Sequence, residues 1–337
     1  MFYDPGTLYI DPWLSEFSVG YGPIDLVGLR IMPEVGVDTQ SGKYRVFDKS
    51  GRVRFYSRRE PGAVANEIRG RRWSEDAFKT KEHSLQAAVA DEERQQLGSR
   101  GGLANAVNGG GVNINPEQDA TAQTLDSLLL EHEIAVASVV RNTATYPGGH
   151  TITLLAADAW DNYAGATSNP IDIVRAAILK VTTAIGRPPN TMLMSQNGVP
   201  FLENHPDTVA RFTNFNLTDP DAFRELTGFE GQTILIGSDV YNDDDIAEAT
   251  TNMVSIWGKD VWIGYVDPNL NENDLSFGKT FAQRYPEGGT RPVDRWREEG
   301  RKSDLVRTSW KYDPKVTMAA AGYLIKDAFQ SSAWTAS

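Results

Sequence analysis

The chain has 337 residues, with 33 Lys and Arg against 45 Asp and Glu, a net charge of −12 and no Cys. That excludes disulfides, a thiolate nucleophile, zinc-finger and iron–sulfur chemistry, and a whole surface that grips nucleic acid non-specifically. With 40% apolar and 23% charged residues it reads as a globular chain of roughly two domains, and no stretch reaches the run of about 18 apolar residues that a membrane span needs.

Met1–Gly20 reads MFYDPGTLYIDPWLSEFSVG. It carries Asp4, Asp11 and Glu16 but no Lys or Arg, so it lacks the basic region of a signal peptide. Pro5, Gly6 and Pro12 break any helix, while Phe2, Tyr3, Tyr9, Trp13 and Phe17 offer aromatic surface. Two readings stand: an extended arm that buries its aromatics against something else, or an ordinary edge segment of the domain.

Residues 43–81 hold 12 basic and 5 acidic residues, a net of +7, so the other 298 residues carry −19. Tyr44, Val46, Val53, Phe55 and Tyr56 give strand character around Asp48–Gly51, a turn-like DKSG, and the segment through Trp73 and Phe78 can pair back. The pattern predicts a long two-stranded excursion with little apolar mass of its own, and a lone ribbon is marginal in water. An acidic surface would stabilise it, and the rest of this chain is acidic. The window is therefore read as an arm docking on a neighbouring copy, with Arg52, Arg54, Arg58, Arg59, Arg71 and Arg72, together with Trp13 and Phe17 of the N-terminal arm, as candidate subunit-interface residues. Arg suits carboxylate partners because its planar fork binds them bidentately. A solvated basic hairpin and a nucleic-acid-binding ribbon are the alternatives that charge leaves open.

Glu82–Leu97 is predicted as a helix, with Leu85, Ala88, Val89 and Leu97 apolar and Gly98 as its stop. The Gly- and Asn-rich run 98–114 reads as a loop. A long helix is predicted over 116–141: Asn115 caps, Pro116 starts, Glu117 and Asp119 complement the dipole, and Leu125, Leu128/Leu129, His132, Val136 and Val139/Val140 form one stripe. His132, on that stripe, is read as a packing or hydrogen-bonding residue. A second punctuated helix starts at Asn169-Pro170, repeats Ile171, Val174, Ile178, Val181 and Ile185, and stops at Gly186 before Pro188-Pro189. A strand at Thr191–Met194, short helices near Pro200–Asn204, Pro206–Phe212 and Pro220–Leu226, and strands at Thr233–Ile236, Met253–Trp257 and Val261–Val266 make 166–274 a mixed helix–strand module. Leu305–Ile325 has strand-like stretches broken by Asp313-Pro314.

Little in the chain points to chemistry. His83, His132, His150 and His205 have no metal-ligand spacing. Gly278-Lys279-Thr280 imitates the end of a phosphate loop, but position 273, where the motif needs Gly, is Asn. Ser195 lacks a G-x-S-x-G frame because position 193 is Leu. Asp243-Asp244-Asp245 lacks the Gly and terminal Glu of a calcium loop. No catalytic residue, metal site or cofactor is expected.

From Trp160 onward the order of motifs resembles the major capsid proteins of tailed double-stranded-DNA bacteriophages. The matching fragments are Trp160-Asp161, Ser168–Ile173 (SNPIDI), Gly186–Thr191 (GRPPNT), His205-Pro206, Trp257–Asp260 (WGKD), Ile263–Val266 (IGYV), Ser276–Phe281 (SFGKTF) and Ala320–Ile325 (AAGYLI). The first 150 residues match by layout. The resemblance implies an α+β fold with an N-terminal arm (1–39), an extended loop (40–81), a peripheral domain (82–165) holding a spine helix (116–141), an axial domain (166–274) and a return to the peripheral domain (275–337). It implies a structural, non-enzymatic protein of the virion capsid that self-assembles into hexamers and pentamers of an icosahedral shell around double-stranded DNA, built in the host cytoplasm. A fused scaffold segment is not expected, so a separate scaffolding protein is implied, with a portal and an optional decoration protein as further partners. Lys43, Lys49, Lys79 and Lys81 lie where some relatives form Lys–Asn cross-links, but nothing selects one of them. The alternatives are an encapsulin-like nanocompartment shell and, in another class, an α/β enzyme using 166–274.

Overall fold

The computed structural model describes residues 9–10, 14–15, 18, 26–47, 57–65, 67, 73–92, 116–163, 167–211, 233–242, 253–267, 275–286 and 289–330. In chain order the elements are β1 (Tyr9–Ile10), α1 (Gly28–Ile31), β2 (Glu34–Val37), β3 (Ser41–Phe47), β4 (Trp73–Lys79), β5 (Lys81–Ala90) and α2 (Pro116–Val140). Next come β6 (Thr151–Thr153), α3 (Pro170–Ile185), β7 (Thr191–Ser195), α4 (Val199–Glu203), α5 (Pro206–Arg211), β8 (Thr233–Gly237), β9 (Val240–Asn242) and β10 (Met253–Ser255). The last are β11 (Val261–Gly264), β12 (Gly278–Gln283), β13 (Val293–Glu298), β14 (Ser303–Val316) and β15 (Gly322–Lys326).

Two sheets organise the molecule. The first has six strands in the order β1-β13-β14-β12-β2, with β5 also paired to β14. The second has five, β6-β15-β11-β7-β8. It draws β6 and β15 from outside 166–274, so strands far apart in sequence close it. Its central strands are buried on both faces. Leu193, Trp262 and Leu324 point into one apolar cluster, and Met192, Met194, Val261, Ile263 and Ile325 into the other. That is why β7 and β11 read as continuous apolar runs rather than alternating ones.

α2 is 25 residues long, roughly 38 Å at about 1.5 Å per residue. It lies against β5 and β14, and Leu125, Leu128, Leu129, His132, Glu133, Val136, Ala137 and Val140 are buried on it. Val136, Ala137 and Val140 join α1, the end of α3 and the second sheet in one cluster, so the long helix ties the two sheets together. α3 follows its punctuation: the Asn169 side chain accepts from the Asp172 N–H, Pro170 opens the helix, and Gly186 closes it in the left-handed conformation at φ 70°.

Two sequence readings are corrected. The helix expected over Glu82–Leu97 is a strand, β5, as far as Ala90; of its described residues Asp91 and Glu92 are helical. Its residues are adequate helix formers, but β5 pairs antiparallel with β14 along its whole length, from Lys81↔Tyr312 to Ala90↔Ser303. Ten paired residues under a long helix outweigh weak local propensity. The break expected at Asp313-Pro314 is absent, and β14 runs through it. Thr280 faces Pro314 across the ladder yet gives its N–H to the Pro33 carbonyl on the opposite side. The pair is therefore a non-hydrogen-bonded one, and the N–H that proline lacks would point toward the edge beyond the end of β5, where no ladder bond is lost. The third short helix (Pro220–Leu226), the DKSG turn, Asn115 and Asp243–Asp245 lie outside the described residues.

Candidate assembly surface

β3 and β4 form the ribbon expected from the basic window, pairing from Ser41↔Lys79 to Phe47↔Trp73. Its base is fastened to the first sheet. Tyr44, Phe78, Val37 and Phe281 make a small apolar cluster, in which Phe78 stacks on Phe281 at 4.6 Å and Tyr44 leans on it at 5.1 Å. The Tyr44 hydroxyl donates to Asp76 at 3.0 Å, and the Phe47 N–H donates to the Thr317 carbonyl at 3.0 Å. A Cβ at Gly42 would lie 2.8 Å from the Phe78 ring and would push that ring from its seat. Beyond this base β4 is exposed. Arg45 lies over the half-exposed Trp73 ring at 4.7 Å, and Lys43 pairs with Glu75 at 2.8 Å.

Arg58 and Arg59 are both exposed, and neither pairs with an acid among the described residues. The arginines of the body differ. Arg291 pairs with Glu34, Arg295 with Glu117 and Asp304, Arg297 with Asp91 and Asp304, and Arg307 with Asp294. Positive charge on the sheet is thus used internally, whereas these two arginines, in the segment between β3 and β4, present theirs to solvent. Arg52, Arg54, Arg71, Arg72, Trp13 and Phe17 lie outside the described residues.

The described histidines all serve as packing or hydrogen-bonding groups. The Thr280 hydroxyl donates to the Met32 carbonyl at 3.0 Å, so the His132 Nε2–H must donate to Thr280 Oγ1, 3.0 Å away. Burial first, then the Arg291 guanidinium and His83, push its pKa down to about 3. His83 pairs with Glu131 at 2.9 Å and stacks on Tyr312, and His150 Nδ1 lies 3.1 Å from the Gly322 carbonyl. Ser168 and His205 are the constellation nearest to a nucleophile and its base, with Oγ 3.0 Å from Nε2. The polarity is reversed. Ser168 gives its proton to the Ala159 carbonyl at 2.8 Å, and His205 Nδ1 accepts the Asp207 N–H, so Nε2 carries the proton. This pair braces α5 and does not activate the serine. A groove of about 530 Å³ at the ribbon's base, lined by Val46, Phe47, Trp73, Pro147, His150 and Ala184, brings no acids together. Gly278-Lys279-Thr280 is the start of β12, with Gly278 tight against Met32 and the Lys315 carbonyl. Among the described residues no three His, Asp or Glu side chains group as metal ligands.

The residue that the sequence reading passed over is Glu133. It is buried on the apolar stripe of α2. Its Oε1 accepts from the Trp257 indole at 2.7 Å and from the Val27 N–H at 3.2 Å, and its Oε2 accepts from the Gly28 N–H at 2.5 Å. The signal was available: position 133 lies four after Leu129 and three before Val136, on the face that spacing assigns to the core.

The architecture is α+β: a long helix on an antiparallel-rich sheet, a second sheet with a capping helix, and a two-stranded ribbon seated on the first sheet. A phage-related protein of known crystal structure from Bordetella bronchiseptica shares this fold at a TM-score of 0.73, with 24% identity, over 95% of this chain and 97% of that one. In sequence the chain is 26% identical over 324 residues to the major capsid protein of Burkholderia phage BcepMu, spanning 94% of this chain and 95% of the relative. It is 26% identical over 288 residues to that of Pseudomonas phage JBD67, spanning 80% and 82%. No protein-family model matches. The likeness to phage major capsid proteins, read above from fragments after Trp160, therefore extends along almost the whole chain.

Proposed function

We propose that the protein is a structural major capsid protein of a bacteriophage, whose activity is self-association into the shell of the virion. The observation that carries this is the 26% identity to a major capsid protein over 94% of the chain and 95% of that relative. A genome-enclosing shell is favoured over a cargo-holding nanocompartment because these sequence relatives are phage capsid proteins. Electron microscopy of the overexpressed full chain tests it. Uniform closed particles are expected, and a strictly monomeric protein under all salt and concentration conditions would overturn it.

Finer parts of the reading rest on charge. Residues 43–81, nearly all of them in the ribbon or between its strands, carry +7 against −19 in the rest of the chain, which suits an arm lying across the acidic surface of an adjacent subunit in hexamers and pentamers. Arg58, Arg59, Arg71 and Arg72 are the preferred contacts. The same acidic balance disfavours tight binding to the packaged double-stranded DNA. Scaffolding, portal and decoration proteins are partners of this reading, with assembly in the host cytoplasm.

A further inference from the structure

We propose that Glu133 is a proton-operated clasp. As a carboxylate it fastens the chain entering α1 and the Trp257 indole to the long helix; on taking up a proton it releases its hold on Val27–Gly28. The inference concerns the folded subunit and does not depend on the shell reading.

The geometry is unusual for an acid on a core stripe. Glu133 is 1% exposed, and three donors from two separate parts of the chain converge on its two oxygens. Two are the backbone N–H groups of Val27 and Gly28, and the third is the indole N–H of the turn between β10 and β11. The fit is close enough that a Cβ on residue 28 would collide with Oε2, so a larger residue there would push the carboxylate out of this position. Upstream of this point the described arm runs along β13. Tyr9 pairs with Arg295, Ser15 Oγ accepts the Val293 N–H, and the Ser18 hydroxyl donates to the Arg291 carbonyl. The clasp is where that arm is joined to α2 and, through Trp257, to the second sheet.

A carboxylate only accepts hydrogen bonds, whereas a carboxylic acid must also donate one. Gly28 already donates to one oxygen of Glu133, and Val27 and Trp257 donate to the other. A proton added to either finds no acceptor among these partners, and it turns charge-assisted bonds into weaker neutral ones. The pKa of Glu133 is raised to about 7, by burial above all and by Asp239, between β8 and β9, against the pull of the three donors. The other charged groups nearby are engaged elsewhere. Arg141 pairs with Asp260 at 2.7 Å, Lys259 bonds the Gln330 carbonyl, and Arg30 of α1 is exposed. Because the folded-state pKa lies above the ordinary value of 4.5, the fold binds this proton more readily than the unfolded chain does between those two values. Acidification across that window therefore loosens the clasp without this group opposing the fold.

Hydrogen–deuterium exchange of the full chain, corrected for intrinsic exchange, reads the clasp directly in a peptide covering Val27–Met32. Between about pH 8 and about pH 5.5 protection there is expected to fall roughly tenfold or more, with a midpoint near 7. In Glu133→Gln the region should be weakly protected with no midpoint. A wild-type profile without a midpoint, or one that persists in Glu133→Gln, overturns the proposal. Should that variant fail to fold, carbon-13 titration of glutamate-labelled wild-type protein decides. A carboxyl titrating near pH 7 supports the clasp, and all glutamates titrating below about pH 5.5 overturn it.

Discussion

Phe78 stacks on Phe281 with ring centroids 4.6 Å apart and planes 12° from parallel, and Phe78 is the single buried side chain of β4. One ring from an otherwise exposed strand is thus seated on the first sheet. Phe78→Ala removes that seat, and burial of this kind is worth about 3 kcal/mol. The ribbon should become sensitive to limited proteolysis while the rest of the chain stays resistant. Unchanged cleavage would mean that backbone bonds such as Phe47 to Thr317 hold the ribbon alone.

Arg58 and Arg59 are exposed, so Arg58→Glu with Arg59→Glu should change subunit stability by no more than about 0.5 kcal/mol. If the ribbon docks on acid, the double variant should lower particle yield at least about tenfold at moderate salt. Sedimentation and negative-stain microscopy measure this. Normal shells from the double variant refute docking through these two residues.

His132 is buried and neutral, with its pKa lowered to about 3 from 6.5. The unfolded chain gains a proton at this group as pH falls through 6.5, and the folded chain does not until far lower. The stability linked to His132 is therefore complete above about pH 6.5 and declines as pH falls toward 3. His132→Gln should flatten the acid side of the stability profile in urea titrations, even if it lowers stability at neutral pH. An unaltered slope would place the acid sensitivity on other groups. Glu133, its neighbour in sequence, acts in the opposite sense, so the two must be varied separately.

Asp260 is buried and accepts from Arg141 Nε at 2.7 Å and from the Asp327 N–H at 3.0 Å, while Arg141 also donates to the Ile256 carbonyl at 2.8 Å. Asp260→Ala leaves a guanidinium and an N–H without this acceptor and should cost about 3 kcal/mol, visible as a lower thermal midpoint. Asp260→Asn keeps one acceptor and should cost less. Equal losses would mean that charge, not hydrogen bonding, holds the pair.

The sequence made the helices legible because their ends carry chemistry: Asn169, Pro170 and Gly186 act where they were expected to act. The ribbon was legible because aromatic strand formers sit on both sides of a charged stretch. What stayed hidden depended on partners remote in sequence. Nothing within Lys81–Ala90 announces a strand, since its reason for being one is β14, more than 200 residues on. Pro314 looked like a break because the side of the ladder its nitrogen faces is fixed only by Thr280 and Pro33. Trp13, Phe17, Arg52, Arg54, Arg71 and Arg72 remain proposals drawn from composition and charge. Glu133 was on a face correctly assigned to the core, yet its donors Val27, Gly28 and Trp257 come together only in three dimensions.

β14 lies between β13 and β12 in the sheet order and also pairs with β5, and it is made late. On the ribosome, β5, β12 and β13 emerge before the strand that joins them exists, and long-range pairing of this kind is slow to form. A chain released before Ser303 would leave those strands without their common partner. Translation itself thereby withholds the first sheet until nearly the full chain has been made, which separates synthesis in time from any association that needs the finished subunit.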